Sequence, residues 1–86
     1  MPDVSRFFGI VIYMYFNDHL PPHFHAEYGG GEALYEIETL RVYRGKLPRR
    51  AHSMVIEWAD AHRAELMGNW VRARQGQSVL DIEPLE

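Results

Sequence analysis

The sequence contains no cysteine, which excludes disulfide staples, thiolate metal sites and a cysteine nucleophile. Long apolar runs are missing too. The stretch Gly9 to Phe16 falls well short of the ~20 residues that a membrane-spanning helix needs, and Met1-Pro-Asp-Val-Ser-Arg6 has neither the basic start nor the apolar run of a secretory signal. A reducing, cytoplasmic setting is the expectation. Net charge is small as well: nine basic residues against twelve acidic ones leave −3, which excludes a uniformly basic nucleic-acid binder. No repeat, low-complexity tract or linker divides the 86 residues, so residues 1–86 read as a single domain. By area scaling, a chain this small removes roughly 64% of its unfolded surface from water. It is marginal unless its core is good or a partner covers part of it.

What is present has two periods. Phe7 to Phe16 is β-branched, aromatic and uncharged, which predicts one buried central strand ended by Asn17-Asp18. Asn17-Asp-His-Leu-Pro-Pro22 reads as a turn or loop. His23 to Tyr28 resumes as a strand, with His23, His25 and Glu27 on one face and Phe24, Ala26 and Tyr28 on the other. Gly29-Gly30-Gly31 makes the next turn, Glu32 to Glu38 alternates again, and Leu40 to Tyr43 forms a short fourth strand or an extension. From Leu47 onward, Ala51, Val55, Trp58, Ala59, Leu66 and Trp70 recur at helical spacing, with Pro48 in the first turn and Gly76 at the end. The tail Ser78 to Glu83 alternates as an edge strand. The predicted fold is α+β: a small three- to four-stranded antiparallel sheet packed against one long C-terminal helix, whose point of breakage, if any, is Gly68-Asn69.

Two features carry chemistry. Residues 1–40 hold Arg6 against six acids, a net −5, whereas residues 41–50 hold Arg41, Arg44, Lys46, Arg49 and Arg50 with no acid, a net +5. Such a block attracts phosphate, and Arg49 and Arg50 stand near a helix N-terminus, where free N–H groups favour an anion. A solvated loop or a surface that pairs with an acidic partner is the plainer reading. The second feature is His19-Leu-Pro-Pro-His23-Phe-His25, whose H-x-H step puts two imidazoles on one strand face. Three readings stay open for it: a structural role, a metal site with Glu27 or an acid of the next strand as a further ligand, and general acid–base cleavage of RNA. In the last, His23, His25 and Arg49 are the catalytic set, Arg49 stabilising the phosphorane charge. His19, Arg41, Arg44, Lys46 and Arg50 hold the substrate, and neither metal nor cofactor takes part. On the helix, His62 reads as a core histidine and His52 as an exposed one.

Arg6 to His19, Pro22-His-Phe-His25, Gly45-Lys-Leu-Pro-Arg-Arg50, Glu57-Trp-Ala59 with His62, Glu65-Leu66, Asn69-Trp70 and Ile82-Glu-Pro-Leu85 form a combined pattern. Over essentially the whole chain it resembles the small bacterial domain-of-unknown-function family 4160. The resemblance implies a free-standing domain encoded beside a second small protein, in an arrangement suggesting a toxin–antitoxin pair; it implies no catalytic residue. The expected role is therefore the toxin component of such a pair, binding RNA or the ribosome through the basic loop. The expected partners are a cognate small protein from the neighbouring gene, RNA or the ribosome, and a second copy of the chain, with no membrane. The alternatives are a non-catalytic protein-interaction module and a small histidine-rich metal-binding domain.

Overall fold

The structure, a computed structural model, describes residues 3–86. Five strands come first: β1 Asp3–Phe7, β2 Ile10–Tyr13, β3 His23–Tyr28, β4 Gly31–Glu36 and β5 Val42–Gly45. Two helices follow, α1 Arg49–Ala61 and α2 Arg63–Arg74. The strands pair in chain order as one antiparallel meander, so the α+β class holds while the sheet has five strands instead of three or four.

The extra strand comes from the apolar run. Phe8 and Gly9, at φ 48° and 81°, turn the chain inside the segment expected to be one strand. Two consecutive positive φ values make the tight turn that matches strand twist. The run therefore folds back on itself as the β1–β2 hairpin, with Phe7 opposite Ile10.

Alternation then sorts the side chains. Phe24 and Ala26 of β3 join Ile10 and Ile12 of β2 and Tyr35 of β4 in the core, and α1 covers this face. Trp58 is the anchor: its ring meets Phe7 at 5.3 Å and Phe24 at 6.0 Å, and its Nε1–H donates to the Glu83 carbonyl at 2.8 Å. Removing an aromatic side chain from such a position costs about 3–5 kcal/mol.

The single long helix is corrected to two. They part at His62, with φ −128° and ψ 25°, and not at Gly68, which lies in the interior of α2. The apolar stripe keeps its phase across the junction, Ala59 to Leu66 being seven residues, so periodicity cannot register the break. His62 is half-buried at this corner, its Nδ1 2.5 Å from Glu65 and its ring 5.5 Å from Trp58. His52, expected to be exposed, is half-buried, and its Nδ1 shares a 2.9 Å hydrogen bond with the Tyr35 hydroxyl.

The tail is no strand either. One ladder-type bond, Ile82 N–H to the Val4 carbonyl at 2.9 Å, lays it along β1, and Asn69 clamps it through paired bonds to the Leu80 N–H and carbonyl, both 2.8 Å. It thereby shields one edge of the sheet. Among the described residues no helix is long and apolar enough to cross a membrane.

Candidate functional site

The loop between β2 and β3 is held in place by α2. Asn17 N–H donates to the Ala73 carbonyl at 3.1 Å, and Arg74 Nη1 donates to the Asp18 carbonyl at 3.2 Å. Trp70, from the same helix, packs its ring 5.3 Å from that of His23. Asp18 is thus carried over the start of β3.

There it meets the histidines. Asp18 Oδ2 lies 2.9 Å from Nε2 of His23 and 3.3 Å from Nε2 of His25, while Oδ1 takes the His19 backbone N–H at 2.8 Å and stands 2.9 Å from His19 Nδ1. His23 and His25 are 1% and 7% exposed, so both rings are buried, whereas His19 is open to solvent. Behind the contact with Asp18, His23 Nδ1–H donates to the Pro21 carbonyl at 2.7 Å. His25 Nδ1 faces Glu32 Oε2 at 3.5 Å, beyond a good hydrogen bond. Tyr13 stacks on His25 at 4.9 Å, and Tyr15 meets it edge-on at 4.8 Å.

Burial pushes the Asp18 carboxyl up, but the His19 N–H, the hydrogen bonds from His25 and His23 and the His23 charge outweigh it and hold the group below the usual carboxylate range. Burial likewise lowers His25, and its bond to Asp18 does not restore it. A carboxylate thus faces an imidazole that resists protonation, a pair of donors open to a cation.

The basic segment divides around this cluster. His25 pairs across the sheet with Leu34, and Leu34 pairs with Arg44, so the three share one row and one face. Two strand spacings put Arg44 about 10 Å from His25. A bulge helps, because Leu34 pairs with Arg44 and Tyr35 with Val42, leaving Tyr43 as the extra residue. Its ring turns edge-on to His23 at 5.5 Å, and its buried hydroxyl, without a hydrogen-bond partner among the described residues, is pushed up mainly by burial. Arg41 stays at the His23 end, its carbonyl accepting from Glu36 N–H at 2.9 Å.

Lys46, Arg49 and Arg50 lie farther along. Gly31, beside Lys46, pairs with Tyr28, three residues along β3 from His25 and five from His23, roughly 10 and 17 Å at strand rise. Helix α1 then starts in the layer covering the opposite face. Of the basic residues expected to work with the histidines, Arg44 shares their sheet face and Arg41 stands at the His23 end, whereas Arg49 and Arg50 begin the helix on the other side of the sheet. Sequence reasoning took Asp18 for a turn residue. Its signal was a carboxylate one loop ahead of H-x-H, and only the seating of that loop on α2 turns it inward.

The molecule thus defines a class: a small meander sheet with two helices, in which a half-buried aspartate stands over two buried histidines of the central strand. The family model described as Domain of unknown function (DUF4160) matches residues 9–71, most of the chain, and the protein belongs to that family. No curated protein and no solved structure matches it.

Proposed function

We propose that this protein is the toxin component of a bacterial toxin–antitoxin pair, that it binds RNA across its basic edge, and that it cuts RNA at the Asp18–His23–His25 cluster. The observation that carries the reading is the shared row of His25, Leu34 and Arg44, in which one arginine lies on the sheet face of the histidine cluster. An extended RNA backbone would reach both. Among the described residues, none of Arg41, Arg44, Lys46, Arg49 and Arg50 has an acidic partner within ion-pair distance, so their charge is free for phosphate. The paired-gene arrangement implied by the family resemblance supports the toxin role.

Anisotropy of a labelled single-stranded RNA tests the binding. Arg44→Ala is expected to weaken it and to lower the slope of log affinity against log salt by about 0.7 for one lost phosphate contact. Wild-type protein with no affinity at low salt refutes the reading. For the toxin role, induced expression in a bacterium is expected to arrest growth, and His25→Ala to relieve the arrest; no arrest by the wild type removes that role.

A second reading, a non-catalytic module docking on the cognate small protein, rests on β5. This strand ends the sheet opposite the tail, and its Val42 side chain is exposed, as an added partner strand would require.

A further inference from the structure

We infer that Asp18, His23 and His25 bind one divalent first-row transition-metal ion through Asp18 Oδ2 and the Nε2 atoms of both histidines. The inference deepens the proposed function at the same site, but binding of the ion stands or falls without RNA. It also replaces the metal-free cut expected from the sequence.

Convergence of donors is the first argument. One ligand atom from each residue lies within 4.8 Å of the other two, and the two separations from Asp18 Oδ2 are 2.9 and 3.3 Å. An ion bonded at about 2.0–2.2 Å to each donor needs donor separations of roughly 3–3.5 Å. Two of the three pairs already stand there.

Ring orientation is the second argument and the stronger one. A carbonyl only accepts, so the 2.7 Å contact with Pro21 puts a proton on His23 Nδ1. His23 Nε2 is then left facing a carboxylate oxygen, another acceptor, at 2.9 Å. Two acceptors at that distance need positive charge between them. Supplying it with protons alone makes His23 an imidazolium with its side chain wholly buried. If His25 also donates from Nε2, its Nδ1 lone pair is turned toward the Glu32 carboxylate at 3.5 Å. A single metal ion meets both contacts without a buried imidazolium. Each histidine then ligates through Nε2 and carries its proton on Nδ1, aimed at Pro21 in one case and at Glu32 in the other. Metal-ligating histidines are characteristically held in this way, the far N–H given to a carbonyl or carboxylate.

The surroundings agree. By strand alternation and register, Glu27, Glu32 and Glu36 share the face of His23 and His25. That field attracts a cation and repels a phosphate, so an ion at Asp18 is also what would let an RNA phosphate approach beside Arg44. Two imidazoles and a carboxylate suit zinc, iron, manganese or nickel over magnesium or calcium. Three protein ligands leave positions for water or substrate, as at catalytic sites and unlike closed structural ones.

The test uses tag-free protein stripped with chelator, titrated calorimetrically with Zn(II), and checked for metal content after dialysis. One Zn(II) per chain is expected, with Asp18→Asn and His25→Ala each weakening affinity at least about 10-fold and His62→Ala leaving it unchanged. Wild type that retains no stoichiometric zinc overturns the inference, as does binding equally tight in both ligand variants. Should those variants fail to fold, Co(II) absorption of the wild type decides: d–d bands shifted from those of the aqueous ion and saturating at one equivalent support the site, and a spectrum unchanged from that of the aqueous ion overturns it. Zinc binding without RNA binding sinks the proposed function alone, and RNA binding and cleavage in chelator with no zinc bound sinks this inference alone.

Discussion

Tyr35 allows the packing of the core to be tested by pH. Its side chain is wholly buried, stacked on Phe24 at 5.3 Å and hydrogen-bonded to His52, and burial pushes its phenol from 10.0 up to about 12. Because the folded value lies above the unfolded one, the neutral phenol's contribution is complete below pH 10 and is lost as pH rises through 12. A shift of about two units at ~1.36 kcal/mol each makes that contribution close to 3 kcal/mol, against a total stability for a chain of this size of about 4–13 kcal/mol. Tyr35→Phe keeps the ring but removes the hydroxyl. At pH 8 it should cost about 0.5–1.5 kcal/mol, since water can replace the lost partner of half-buried His52. The variant has nothing to ionise there, so its stability should fall less steeply above pH 10 and the two curves should cross before pH 12. Tyr43, also raised by burial, is present in both proteins and cancels in the difference. Urea denaturation followed by far-UV circular dichroism at pH 8, 10, 11 and 12 supplies the curves. A difference between the two proteins that stays constant across this range would refute the reasoning.

Two glycines should respond to alanine with opposite sign. A Cβ on Gly45 would stand 2.1 Å from the Glu32 carbonyl, at φ 72°, so Gly45→Ala should separate β5 from β4 and cost upwards of about 3 kcal/mol, read as a lost or strongly lowered denaturation midpoint. Gly68 lies in α2, where an added methyl group would meet nothing within 4 Å, so Gly68→Ala should stabilise by about 0.5–1 kcal/mol, and an unchanged or lower melting temperature would contradict that placement.

How far the sequence could be read depended on whether a signal was local. His23 to Tyr28 was legible to the residue, because period-two alternation between turn signals is a property of the segment itself. The hairpin within Phe7–Phe16 was not, because Gly9 was its only turn signal and the unfavourable half of the turn falls on Phe8. The helix break escaped for a related reason: the stripe runs through His62 in phase, and a change of axis leaves no trace in periodicity. The histidines were legible as a candidate from the H-x-H step, and the basic block from its charge. Neither pattern says which residues of a ten-residue block will face a strand two positions away in the sheet.

The sequence by itself determined the α+β class, the antiparallel pairing of short strands, the position of the helical region and the sharing of one strand face by His23 and His25, all consequences of backbone period and turn chemistry. Tertiary structure alone decided the site. Asp18 becomes a partner of His23 and His25 because α2 holds its loop through Ala73 and Arg74, a contact across more than fifty residues of chain. Arg44 shares the sheet face of His25, and Arg49 starts the helix that covers the other face, because register and layer, which are long-range pairings, fix what stands beside what.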